Sequence, residues 1–172
     1  MRCLGLAQHL RDEGASCSLL TTAVAEPALF RWREEEINAQ EHQAERGSLE
    51  DAGATLAAAA ASGVQWIVAD GYEFGLDWQR AAKEGGAGLV CFDDLGGASF
   101  AADLVVNQNL GAQDLSYDME GGGRVLAGPD YVMLRREFHG LKHEESSGAP
   151  RLLVTFGGYD RDNLAFAAMG EL

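Results

Sequence analysis

Four short blocks follow one another between residues 92 and 138, and their residue types could do chemistry. They are Phe92-Asp93-Asp94-Leu95, residues 103–109 (Asp-Leu-Val-Val-Asn-Gln-Asn), Ala127-Gly128-Pro129-Asp130-Tyr131, and Leu134-Arg135-Arg136-Glu137-Phe138. Polar residues placed repeatedly just after apolar runs suggest a ligand crevice at the carboxyl ends of parallel strands. Asp70-Gly71-Tyr72 has the same placement, so Asp70 and Tyr72 would face a ligand there. The alternative is that Asp70 caps the next turn and Tyr72 packs at the surface. Asp93 and Asp94 are adjacent, so their carboxylates point to different sides and do not form an acid/base pair by default. One can cap a turn while the other faces the crevice. Carboxylates also suit Mg²⁺. Asn107 and Asn109 bracket an amide cluster, and amides donate and accept at once, which suits sugar hydroxyls and acetamido groups. The same amides suit Asx-turns.

A later run, residues 152–160, repeats the strand-then-glycine arrangement. Backbone N–H groups at Gly157 and Gly158 could approach a diphosphate. The run is neither G-x-G-x-x-G nor a Walker loop, so by itself it is a weak nucleotide signal. His139 and His143 lie four apart, but Gly140 interrupts any helix between them and no third ligand is evident. They read as a solvated pair, and His9 as a surface residue of the first helix. No G-x-S-x-G elbow is present. We expect no metal and no organic cofactor.

The elements that must position these residues alternate between helix and strand. Residues 1–10 read as a helix with Leu4, Ala7 and Leu10 on one face, and Gly14 as its C-cap. Residues 16–22 read as a strand. Residues 26–46 are rich in charge and Gln and read as an irregular or partly helical surface segment. Helices follow at 49–61 and 76–84, and strands at 65–69, 89–92, 104–106 and 124–127. This alternation argues for an α/β fold with a Rossmann-like parallel sheet. An α/β domain normally opens with a strand, so we expect the first strand to be missing from the sheet and the chain to lack its natural beginning. Residues 142–150 read as a linker, with a new strand at 151 and a helix from about 162. A strand–loop–helix unit this small cannot bury its own core. The expected organisation is a domain over 1–145 and the first unit of a second over 146–172.

Composition narrows the partners. The chain has 172 residues, is 47% hydrophobic and carries a formal net charge of −14. A core is affordable, and a general nucleic-acid binder is disfavoured, because phosphate backbones draw on clustered positive charge. No apolar run approaches the roughly 20 residues of a membrane span. Three cysteines, Cys3, Cys17 and Cys91, form no C-x-x-C pair and read as buried thiols of a cytoplasmic protein.

The order and identity of these blocks resemble one family, the UDP-2,4-diacetamido-2,4,6-trideoxy-β-L-altropyranose hydrolases of pseudaminic acid biosynthesis. The resemblance is collinear over nearly the whole chain. It rests on Met1-Arg2-Cys3-Leu4-Gly5-Leu6-Ala7, Asp70-Gly71-Tyr72 with Trp78, Asp93-Asp94-Leu95, residues 103–109 with Tyr117, Gly128-Pro129-Asp130-Tyr131, residues 134–138 and residues 155–163. It implies a GT-B architecture of two Rossmann-like domains and metal-independent hydrolysis of a sugar–UDP bond. It implies a histidine base in a Gly-x-Gly-His loop a few residues before the Met-Arg-Cys block, which would lie upstream of Met1. None of His9, His42, His139 or His143 takes that place. It implies a UDP-sugar as the ligand, with Tyr72 the pocket residue carried over most directly. The chain by itself is therefore expected to be inactive and poorly soluble. A GT-B glycosyltransferase and a non-catalytic sugar-nucleotide-binding module are the alternatives.

Overall fold

The computed structural model describes residues 2–22, 26–141, 148, 153–154, 160 and 162–170. It divides into two units, Met1–His139 and Gly140–Leu172. In the second, helix α5 (Leu164–Gly170) is capped by Asp160, whose carboxylate accepts the Leu164 and Ala165 N–H groups at 2.8 and 2.9 Å. Gly157 and Gly158, and most of the expected linker and following strand, lie outside the described residues.

Every described strand of the first unit pairs in parallel. The main sheet has the order β3 (Trp66–Asp70), β4 (Gly88–Phe92), β6 (Leu104–Asn107), β8 (Arg124–Ala127). β1 (Ser18–Thr21) and β2 (Asn38–Glu41) form a second sheet, and β5 (Ser99–Phe100) and β7 (Asp118–Met119) a small third one. The fold is thus α/β with a Rossmann-like parallel sheet, as the strand–helix alternation predicts. The helices are α1 (Arg2–Asp12), α2 (Glu26–Glu34), α3 (Leu49–Ser62) and α4 (Leu76–Ala82).

The central strands are apolar on consecutive residues because both sheet faces are covered. One face carries Ala69, Leu89, Cys91 and Val105 against Ala52 of α3 and Trp78 and Ala82 of α4. The other carries Val90, Phe92 and Val106 against Cys3 and Leu6 of α1. α1 also packs Leu4 and Ala7 on Ile37, just before β2. Gly5 lets the backbone of residues 134–135 approach α1, since a Cβ there would stand 3.0 Å from the Leu134 carbonyl. Gln8 completes the clamp: its side-chain oxygen accepts the Arg136 N–H at 2.8 Å, and its amide donates to Glu35 at 2.6 Å. The Leu134–Phe138 block is therefore a strap that ties α1 to α2, with Arg31 meeting Glu137 at 2.6 Å.

α2 and β2 stand where an irregular or partly helical segment was expected. β2 reads Asn-Ala-Gln-Glu and is mostly exposed, so it carries none of the apolar alternation that marks a strand. Its backbone pairing with β1 makes it a strand, and its polar side chains suit an edge. No described helix is long and apolar enough to cross a membrane.

Candidate functional site

The two central strands of the main sheet, β4 and β6, end in polar turns built from their own side chains. After β4, the Asp93 carboxylate accepts the backbone N–H groups of Leu95 and Gly96 at 3.1 and 2.7 Å. Gly96 sits at φ +68°, and a Cβ there would lie 2.7 Å from that of Leu115, so the turn requires glycine twice over. After β6, the Asn107 side-chain oxygen accepts the Asn109 N–H at 3.1 Å, an Asx-turn. The Asn107 amide donates to Asp93 at 3.3 Å and to the Tyr117 hydroxyl at 3.0 Å. Asp93 and Asn107 are buried, Asn107 completely. They hold two adjacent turns together and form the floor of the strand edge.

These turns project a second, more exposed layer. Arg2, in the first turn of α1, reaches Asp70 after β3 at 2.7 Å and Asp94 after β4 at 2.6 Å. The Tyr72 hydroxyl donates to Asp94 at 3.0 Å, and the Asn109 amide donates to Asp94 at 2.9 Å. Asp94 is thus the hub, and Arg2, Asp70, Tyr72 and Asn109 surround it. The Arg2 guanidinium also lies 4.7 Å from the Phe92 ring centre. Beside the hub a pocket of about 200 Å³ opens, lined by Gly71, Tyr72, Phe74, Asp93, Leu95 and Ser99 among others. A wider hollow of about 350 Å³ lies by Arg11, Glu34 and Glu36. Its Arg136 already pairs with Asp12 and Glu35, and three glutamates and an aspartate line it, so it is an acidic surface hollow away from the strand ends. The smaller pocket, at the strand ends, is the candidate site.

Electrostatics follow from this packing. Hydrogen bonding from Arg2, with help from Asn109 and Tyr72, holds the Asp94 carboxyl below the usual range, against the opposing effect of burial. Burial disfavours the Arg2 charge, but hydrogen bonds and attraction from Asp94 and Asp70 outweigh it and raise its pKa. The Asp94 bond raises that of Tyr72. Burial pushes the Cys3 thiol up to about 12, with the Asp70 carboxylate adding to it, so Cys3 is a neutral thiol rather than a nucleophile. Asp94 is likewise a weak general base near neutrality, because its conjugate acid is too strong.

A pH prediction follows. A carboxyl whose pKa is lowered by folding stabilises the fold above its unfolded value, near 3.9, and loses that contribution as pH falls through the lower folded value. Urea unfolding of wild type and Asp94→Asn should therefore converge in stability as pH drops below about 4. A constant gap between the two down to the acid limit would contradict the Asp94–Arg2 assignment.

The structure brings Asp70, Tyr72 and Asn109 together through Asp94, and places Asp93 and Asn107 directly beneath. Sequence reasoning did not single out Arg2 as a site residue. The signal was a lone arginine at the start of a helix, and only the fold shows that this helix begins where β3 and β4 end. Among the described residues no group of three or more His, Cys, Asp or Glu side chains is arranged to hold a metal. His42 pairs with Asp51 at 3.1 Å, and a His139 ring nitrogen lies 3.2 Å from the Leu134 carbonyl oxygen.

No protein-family model matches the chain. It is similar to an uncharacterized protein of Methanocaldococcus jannaschii, MJ1062, at 30% identity over 105 residues. That stretch is 56% of this chain and 22% of the relative, so the chain spans about a fifth of the length of the protein it matches.

Proposed function

We propose that this chain contributes the sugar-facing part of a nucleotide-sugar hydrolase. The reaction would release UDP from a diacetamido-trideoxy sugar during nonulosonic (pseudaminic) acid biosynthesis. The observation that carries the reading is the polar cluster around Asp94. One guanidinium there is shared by two carboxylates, Asp70 and Asp94, so the cluster is net negative. Such a cluster repels a diphosphate and suits neutral hydroxyl and acetamido groups. The Tyr72 hydroxyl and Asn109 amide stand at its rim with both donor and acceptor capacity. The diphosphate belongs elsewhere, and Gly157 and Gly158 are the proposed backbone donors. The resemblance of the motif blocks supports the same substrate class.

The test is UDP release from the UDP-linked sugar, with no sugar acceptor added. Residues 1–172 alone should release none above background, and a form extended at both ends should turn over. Turnover by the short chain at the rate of the long one would overturn the expectation that no histidine among residues 1–172 serves as the base. Release by the long form only when an acceptor is present would identify a glycosyltransferase.

A non-catalytic sugar-nucleotide-binding module is the second reading. It is favoured by the hydrogen bonds of His42 and His139, which commit both to partners outside the Asp94 cluster. Tyr72→Phe separates the roles in the extended form. The Tyr72 side chain is exposed and loses a single hydroxyl, so Tm should not change. UDP release should fall about tenfold, the worth of one hydrogen bond tightened in the transition state. A parallel loss of Tm and activity would make Tyr72 a structural residue.

A further inference from the structure

Asp93 uses only one of its two carboxylate oxygens to hold the turn after β4. Oδ2 accepts the Leu95 and Gly96 N–H groups and the Asn107 amide, at 3.1, 2.7 and 3.3 Å. Among the described residues nothing donates to Oδ1. Asp93 is only 7% exposed, and it lines the pocket of about 200 Å³ beside the Asp94 hub. The fully enclosed side-chain atoms without a partner are His42 Nδ1 and Trp78 Nε1, so Oδ1 keeps an opening. A nearly buried carboxylate oxygen that is reached from a pocket is an acceptor for whatever occupies that pocket.

The rest of the lining is mostly apolar. It includes Phe74 from the β3–α4 loop, Leu95 from the β4 turn, Phe100 of β5 and Cys91 of β4. Burial pushes the Cys91 thiol up to about 12, so it lines the pocket as a neutral, apolar group. Gln79 ties two of these segments together. Its side-chain amide donates to the Phe74 carbonyl at 2.8 Å, and its side-chain oxygen accepts the Ala101 N–H at 2.8 Å. The Phe74 ring packs 4.4 Å from the buried Trp78 ring. The pocket is therefore preformed rather than a gap between loose loops. Its volume holds roughly six or seven water-sized atoms, which is one substituent and not a sugar ring with its nucleotide.

We propose that this pocket takes one N-acetyl group of the ligand, its amide N–H donating to Asp93 Oδ1 and its methyl packing against Phe74, Leu95 and Phe100. Other substituents fit less well. A phosphate or carboxylate is repelled by Asp93 and by the net-negative cluster beside it. An ammonium group brings three donors to one free acceptor and must leave water for apolar walls. A hydroxyl satisfies Oδ1 but gives the walls no apolar partner. A secondary amide brings one donor and one methyl, and its carbonyl stays in water at the open mouth. This inference deepens the diacetamido-sugar reading and rests on it for the sugar, but recognition of the N-acetyl group requires no hydrolysis.

The test is ligand-observed NMR titration of the 172-residue chain with three methyl glucosides that carry acetamido, ammonium or O-acetyl at C2. The ring stays outside the pocket and is common to all three. The acetamido probe should bind with a Kd of about 1–10 mM, its acetyl methyl taking the most saturation from the protein. The O-acetyl probe keeps the methyl and carbonyl but has no N–H, and it should bind about fivefold or more weakly, as should the ammonium probe. Asp93→Asn keeps one oxygen for the three donors of the turn and sets its NH₂ at the place of Oδ1. A donor then meets a donor, and affinity for the acetamido probe should fall about tenfold. Undiminished binding by a folded Asp93→Asn chain overturns the proposal. If that variant does not fold, the three probes on the wild-type chain decide. Equal affinity for the acetamido and O-acetyl probes, tighter binding of the ammonium probe, or no binding of the acetamido probe overturns it. Equal kcat/KM of the extended form for UDP-linked sugars with free or acetylated amines would overturn N-acetyl recognition and leave the hydrolase reading intact. Acetamido-selective binding without UDP release by the extended form would support the pocket and count against hydrolysis.

Discussion

Leu89→Ala should lower the stability of the first unit by about 3 kcal/mol, or roughly 10 °C in Tm. Leu89 is fully buried at the middle of the sheet, among Ala52, Ala69, Ala82, Ala102, Val105 and Trp78. Truncation of leucine always removes transfer energy, and a second loss comes from any cavity the neighbours fail to fill. Four of the neighbours here are alanines, which have no rotamer freedom with which to move in. The cost should therefore stay within the usual range of about 2–5 kcal/mol rather than fall below it, and Leu89→Met should recover most of it. Chemical denaturation with an unchanged m-value would measure it. A loss under about 1 kcal/mol would mean that the helices collapse onto the sheet.

Asp93→Ala should cost about 2–4 kcal/mol. The variant strands the Leu95 and Gly96 N–H groups and one donor of the buried Asn107 amide. The Asn107 donor is buried, and an unpaired buried donor costs more than the bond it loses, because water cannot replace the partner; the two N–H groups of the turn lose only their bonds. Asp93→Asn retains an accepting oxygen and should lose less than half as much. Denaturation midpoints of the three proteins decide the matter. If Asn and Ala were equally damaging, charge rather than the turn would be the reason for an acid at this position. If neither affected stability, Asp93 would be free for a ligand.

The same residue shows how much of the site was legible in the sequence. Polar residues following apolar strand runs mark the carboxyl edge, and Asp70, Tyr72, Asp93, Asn107 and Asn109 all lie there. The sequence also carries the capping logic, because Asp and Asn at the ends of strands readily make Asx-turns. What it lacked was which member of the Asp93-Asp94 pair turns inward. That depends on the pleat of β4 and on where β6 lies, and β6 is joined to β4 only through the sheet. Arg2 was hidden for the same reason: 68 residues separate it from Asp70, and no local pattern links them.

By itself, the chain's alternation of apolar strands and helices determined an α/β parallel fold. Local hydrogen bonding is enough for that: Ser48 caps α3 and Gly63, at φ +61°, ends it. Apolar strands such as β4 then bury both faces wherever they pair. The polar strand β2 became legible only when β1 lay beside it, since its pairing is in the backbone and not in its side chains. The tertiary structure alone decided that the Leu134–Phe138 block is a strap on α1 and that Asp94 is the hub of the exposed cluster. Each of these depends on contacts between residues far apart in sequence, whose geometry is set by sheet order and helix placement rather than by any local preference.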